Sequence, residues 1–210
     1  MTYSETVKFL VAMIIMMNPL GSLSIYLDLT RYKKTALQLQ IAKICGVTIM
    51  TVMFLAVWAG SQLLDLLGIN INAFRIAGGI ILLLTGLSML ESKVSPISHT
   101  KQDDVAAEER HSIAVVPLAI PIIVGPGAIS TLIIAASDST TMTIKIWLSL
   151  LCIPLALGMY AILRYGAVIA NFFGESVIKV ITKIMGMIIM AIAVGMLADG
   201  MVGLIPALGG

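Results

Sequence analysis

The sequence predicts an all-α polytopic membrane protein with six transmembrane spans arranged as a 3+3 inverted repeat, spans one and four being broken into half-helices. Three observations predict it. Hydrophobic residues make up 59% of the 210 and charged residues 11%, against roughly 25% charge in a soluble domain. That is too little polar surface to cover a water-soluble core. Six apolar stretches each approach the roughly 20 residues that a membrane-spanning helix needs. Two Pro-Gly interruptions stand 107 residues apart, at Pro19 and Pro126, each inside such a stretch.

The elements follow in order. Span one covers about 5–29. Lys8 followed by Phe9–Met17 loosely imitates a secretory signal, but no A-x-A-like site follows and apolar character resumes, so a retained span is expected. Spans two and three cover about 44–67 and 72–90, the latter with Gly78, Gly79 and Gly86. A polar loop, about 91–112, contains His99, Asp103, Asp104 and His111. Their spacing matches no tight metal motif, so a solvated loop and no metal site are expected. Span four, about 113–136, carries Pro117, Pro121 and Gly125-Pro126-Gly127. Spans five and six cover about 143–163 and 178–204, the latter with Gly186 and Gly195. These glycines read as close helix packing. Cys45 and Cys152 fall in apolar runs and read as small buried hydrophobes. Trp58 and Trp147 read as interface anchors, with a deeper place open for Trp58. Arg75 and Lys183, near the starts of spans three and six, read as snorkelling cations. The alternative is gating, or pairing with Asp28, Asp65 or Asp199.

Loops after spans one, three and five hold 10 of the 13 basic residues. That side is expected to be cytoplasmic, with both termini outside. Further matches accompany the Pro-Gly pair. Gly68 aligns with Gly174 at an offset of 106, and Arg75 with Lys183 and Gly78 with Gly186 at 108. A single integral domain, 1–210, then divides into repeat one (about 1–90), the cytoplasmic loop (about 91–112) and repeat two (about 113–210). Three spans per repeat force the second to enter the membrane from the opposite side, as in many secondary transporters.

A proline inside a helix lacks a donor and clashes with the carbonyl four residues earlier. Pro19 is therefore expected to free the carbonyl of Ile15, Pro126 that of Ile122, and Pro121 that of Pro117. First half-helices are expected to end near Met16-Met17 and Ile123-Val124, and second halves to begin near Gly21-Ser22 and Gly127-Ala128. Helix N-termini attract a carboxylate. The carbonyls of Ile15, Met17, Ile122 and Val124 could accept from an ammonium group or coordinate a cation, and coupling to H+ or to Na+ stays open. A small zwitterion fits such a pair of breaks. The expected binding residues are Asn18, Pro19, Leu20, Gly21 and Ser22 in one half, and Gly125, Pro126, Gly127, Ala128, Ser130 and Thr131 in the other.

"MNPLGSLSIYL" (17–27, preceded by Met16) together with "PLAIPIIVGPGAIST" (117–131) resembles the MarC family, also called the small neutral amino acid transporter family. The resemblance covers essentially the whole chain. It implies a multi-pass protein of a bacterial or archaeal inner membrane, with two discontinuous helices. It also implies transport of glycine, alanine or serine for some members. The family's breaks map onto Asn18-Pro19-Leu20-Gly21 and Gly125-Pro126-Gly127-Ala128.

The reading is therefore a carrier of small neutral amino acids working by alternating access, with a small-solute channel or a structural or sensory membrane protein as the alternative. The partners implied are the zwitterion and the bilayer; homo-oligomers stay open. The small net charge of +2 suggests no nucleic-acid partner. An enzyme is not expected, because neither H-E-x-x-H nor a mid-span general base occurs. No P-loop is present, so no cofactor or ATP-driven pumping is expected.

Overall fold

In the computed structural model the described residues are 3–90, 119, 123–137 and 141–205, and they are helical apart from short connections. Among the described residues seven α-helices follow in order: α1 Tyr3–Met17, α2 Pro19–Thr30, α3 Thr35–Leu66, α4 Ile71–Leu90, α5 Pro126–Ser137, α6 Met142–Arg164 and α7 Gly166–Leu204. Among the described residues five stretches are long and apolar enough to cross a bilayer: Ser4–Thr30 (α1 with α2), Thr35–Leu66, Ile71–Leu90, Met142–Arg164 and Ser176–Leu204. α5 is apolar but has only 12 residues. At about 1.5 Å per residue it is too short to cross a core roughly 30 Å thick. Most of the first half expected for span four, including Pro117, Pro121 and Ile122, lies outside the described residues. So does the loop with His99, Asp103, Asp104 and His111.

Two boundaries differ from expectation. α3 begins at Thr35, nine residues before the apolar stretch. Gln38, Gln40 and Lys43 break the hydropathy signal but not the helix, because backbone hydrogen bonding does not require apolar side chains. α7 is kinked at Gly174 (φ 71°, ψ 158°), a left-handed φ that glycine adopts freely, so the last long span begins at Ser176.

α4 and α7 form the most extensive helix pair, and α3 packs along α6. α5 lies against α3 and α4, while α2 lies against α6 and α7. The α3–α6 pair is tied by Trp58, whose Nε1 donates to Ser149 Oγ at 2.9 Å. Trp58 is half-buried between helices. Cys45 and Cys152 are free thiols and fully buried in this region of the core.

The α4–α7 pair is antiparallel and built on absent side chains. A methyl group on Gly86 would lie 2.7 Å from the Gly186 carbonyl oxygen, and one on Gly186 would lie 2.9 Å from that of Gly86. One on Gly79 would stand 3.1 Å from the Ala193 oxygen, and one on Gly200 2.9 Å from the Asn72 oxygen. Positions 72, 79 and 86 therefore face 200, 193 and 186, in seven-residue steps. Close backbone approach gives dispersion contact that lipid tails cannot match. Gly78 turns instead toward Ser130 of α5, and Gly195, expected in the interface, has nothing within 4 Å. Large apolar side chains such as Leu84, Leu157, Val180 and Ile184 are exposed, as a lipid solvent requires. Lys183 is exposed; Arg75 is half-buried and has a partner.

Candidate functional site

The first break falls near the middle of the Ser4–Thr30 stretch. Asn18 adopts φ 43° and ψ 66°, and is the one non-glycine with positive φ among the described residues. Asparagine tolerates this left-handed conformation better than most residues, because its short amide bonds locally. Its Oδ1 accepts from Gly21 N–H at 3.3 Å, and its carbonyl accepts from Ser22 N–H at 2.9 Å. The Asn18 side chain fills the space where Gly21 would carry a Cβ, with Asn18 Cγ 2.8 Å away.

The role expected of Pro19 is corrected here. α2 starts on Pro19 and α5 on Pro126, two residues or one before the starts expected at Gly21-Ser22 and Gly127-Ala128. In a first turn a proline loses no bond, since that N–H has no intrahelical partner. Nor does Pro19 strand the Ile15 carbonyl, which accepts from Asn18 N–H at 3.1 Å. The Met17 carbonyl accepts from Ser22 Oγ at 3.0 Å. Each of these oxygens keeps a second lone pair.

The second break is built differently. Val124 N–H donates to the Ala119 carbonyl at 2.9 Å, across five residues, a π-type turn wider than an α-helix. Gly125 precedes α5 and has no side chain to cap it; its carbonyl accepts from Ile129 N–H at 3.1 Å. Gly127 and Ala128 are buried, and their N–H groups find no acceptor among the described residues. Ser130 Oγ donates to the Pro126 carbonyl at 2.8 Å and Thr131 Oγ1 to that of Gly127 at 2.9 Å. Leu82 of α4 occupies the space where a Gly127 side chain would stand.

The two breaks lie against each other. Thr131 Oγ1, one turn into α5, sits 3.4 Å from Met16 Sδ at the end of α1 and 3.9 Å from Met196 Sδ of α7. Gly78 of α4 closes another side, where a Cβ would come within 2.8 Å of Ser130 Oγ. Of the residues expected at the site, Pro19, Ser22, Gly127, Ala128 and Ser130 are buried, Asn18, Leu20, Gly21, Gly125 and Thr131 are half-buried, and Pro126 is exposed. Val124 is fully buried, and Ile122 lies outside the described residues. Sequence reading missed Met16, Leu82 and Met196. Met16 carried one signal, its place beside the break. Leu82 and Met196 carried none, because periodicity identifies a buried face but not the residue opposite it.

No ionisable side chain is among these residues. The polarity at this depth comes from peptide groups, one amide and hydroxyls. Two helix N-termini, each equivalent to roughly half a positive charge, are the site's strongest electrostatic feature.

Long apolar helices with lipid-suited surfaces, one of them fractured at mid-length by a left-handed asparagine, define a polytopic integral membrane protein. Lipid tolerates such fractures only where protein or a polar cavity surrounds them. Residues 3–205 match the family model described as MarC family integral membrane protein, and the chain belongs to that family. It is similar to the UPF0056 membrane protein YhcE of Escherichia coli (strain K12), 29% identical over 96% of this chain and 94% of that one. It is also similar to a UPF0056 membrane protein of Methanocaldococcus jannaschii, 34% identical over 89% of this chain and 91% of that one. A third relative is the UPF0056 membrane protein YvbG of Bacillus subtilis (strain 168), 30% identical over 99% of both chains. No solved structure matches the chain.

Proposed function

We propose that the protein is a secondary carrier of small neutral amino acids such as glycine, alanine or serine, or of similar small zwitterions. It resides in the bacterial inner membrane with both termini outside and works by alternating access. The observation that carries this reading is the pair of buried N–H groups at Gly127 and Ala128 beside the break at Asn18. Neither finds an acceptor among the described residues; a buried donor left so costs about 1–3 kcal/mol, and a ligand carboxylate would offset that cost. The second lone pairs on the Ile15 and Met17 carbonyls, with the Val124 and Ile122 carbonyls, would receive an ammonium group or coordinate a coupling Na+.

Alternating access calls for two halves, and several features support a 3+3 inverted repeat. Gly68 and Gly174, aligned at an offset of 106, are the two glycines with positive φ among the described residues. Gly60 of α3 crowds Ile133 of α5, while Gly166, also 106 residues on, crowds Leu23 of α2. Each short second half-helix thus packs on helices of the other half: α2 on α6 and α7, α5 on α3 and α4.

The test uses the full chain in proteoliposomes loaded with glycine, alanine or serine. Saturable counterflow is expected. Thr131→Val, which keeps the side-chain shape and removes the hydroxyl, should lower flux at least about tenfold while thermal stability shifts by little, the hydroxyl bond being worth about 1 kcal/mol. Flux in Thr131→Val at the wild-type rate would refute the site. Unsaturated conductance would replace the carrier with a channel.

A further inference from the structure

One end of the bundle carries an exposed cluster of basic and aromatic residues that the proposed carrier site does not use. Arg31, just after α2, places its guanidinium carbon 5.7 Å from the centre of the Tyr32 ring. Arg164, the last residue of α6, does the same over Tyr165 at 5.8 Å, and its Nη1 donates to Tyr160 Oη at 3.1 Å. The fold brings these two Arg-Tyr pairs to the same end. A Cβ on Gly166 would lie 2.5 Å from Leu23 Cδ1 and 3.5 Å from Leu27 Cδ2. Arg31 stands four residues beyond Leu27, about one helical turn or 6 Å, and Arg164 two residues before Gly166. Arg31, Lys34, Arg164 and Tyr165 are exposed, and Tyr32 is 93% exposed. Lys33 is the fourth cation of the cluster, and Asp28 the carboxylate within reach along α2. Beyond Gly166 the chain presents Phe172, 82% exposed and edge-on to Phe173 at 5.2 Å between ring centres.

Tyrosine rings settle at the headgroup level of a bilayer, with the apolar body down and the hydroxyl up. A guanidinium stacked on such a ring is held in place; Arg164 spends one Nη1 hydrogen on Tyr160, and its remaining in-plane N–H groups can face a phosphate. Phosphate is the partner the fork grips in two places at once. Among the described residues at this end, four cations stand against the carboxylate of Asp28, and they supply the long-range attraction.

We propose that this end of the bundle seats the headgroup of an anionic phospholipid, with Arg31 and Arg164 as its phosphate ligands. The inference rests on the membrane reading and is independent of transport. The test takes the purified full-length chain, delipidated in neutral detergent, and titrates it with phosphatidylglycerol or phosphatidylcholine of matched acyl chains. Thermal unfolding and native mass spectrometry are the readouts. Phosphatidylglycerol should raise the unfolding temperature in proportion to occupancy, and phosphatidylcholine should not. Arg31→Gln and Arg164→Gln should each weaken the apparent affinity about fivefold, taking about 1 kcal/mol per surface cation. Together they should weaken it about 25-fold if the two act independently. Arg31→Lys and Arg164→Lys, which keep the charge and lose the fork, should fall between, and serve if a glutamine variant misfolds. Equal response to both lipids, or a wild-type response in the double variant, overturns the proposal. An equal shift with glycerol phosphate alone overturns it too, by assigning a soluble phosphate ligand.

Discussion

Replacing Asn18 separates two quantities that the wild-type residue combines. Its side chain accepts the Gly21 N–H at 3.3 Å, and its backbone sits at φ 43°. Asn18→Gly removes the acceptor and keeps an easy left-handed backbone. Losing such a cap costs about 1 kcal/mol, less where glycine relieves backbone strain. Asn18→Ala removes the acceptor and also places a Cβ in the left-handed region, at a further cost of about 1–2 kcal/mol. For a chain of this size each kcal/mol moves the unfolding midpoint by about 2–4 °C. The alanine variant should therefore melt about 5–10 °C below wild type, and the glycine variant only about 2–4 °C below. The fully buried thiols of Cys45 and Cys152 provide the assay: a thiol-reactive dye labels them only when the bundle opens. If the two variants melt at the same temperature, Asn18 is not held left-handed and the self-capped break is refuted.

Two more predictions concern packing and topology. Gly86→Ala should destabilise by about 1–3 kcal/mol, because the new methyl meets the Gly186 carbonyl at 2.7 Å with backbone on both sides. Gly195→Ala, with nothing within 4 Å, should be neutral or raise stability by up to about 1 kcal/mol, the helix-propensity difference; unfolding in detergent reads both. Single cysteines at Tyr32 and Asn70, in a chain whose native thiols are replaced by alanine, should react with an impermeant reagent from opposite sides of a sealed vesicle. A reporter fused after Gly210 should be active on the outer side. Labelling of both sites from one side, or a reporter active only in the cytoplasm, would contradict the expected topology.

Much of the class was legible from sequence. Transfer of a helix into lipid is close to a sum over its own residues. The apolar stretches ending near Thr30, Leu66, Leu90 and Arg164 therefore announce themselves without knowledge of their neighbours. The location of the breaks was legible for a similar reason, since a proline's missing N–H is a property of one residue. Its consequence was not. Pro19 and Pro126 read as interior breakers but stand in first turns, where the missing donor costs nothing. In one half the interruption comes from Asn18 turning left-handed; in the other the helix starts on Pro126, after Gly125 and a π-type turn from Ala119 to Val124.

The site itself shows the same division. Gly21 and Gly127 are among the binding residues expected from sequence. The fold puts the Asn18 side chain where the first would carry a Cβ and Leu82 where the second would. Gly195 looked like part of a helix seam, yet the seam runs through Gly79, Gly86, Gly186 and Gly200. Residues near in sequence settled the membrane class, the five long spans among the described residues and the place of the break at Asn18-Pro19, through hydropathy and missing donors that add up locally. Which side chain covers which glycine, and that Met16 and Met196 meet Thr131, came only from tertiary structure. Those contacts join residues up to 115 apart, and no local sum of propensities encodes the crossing angle and rotation that bring them together.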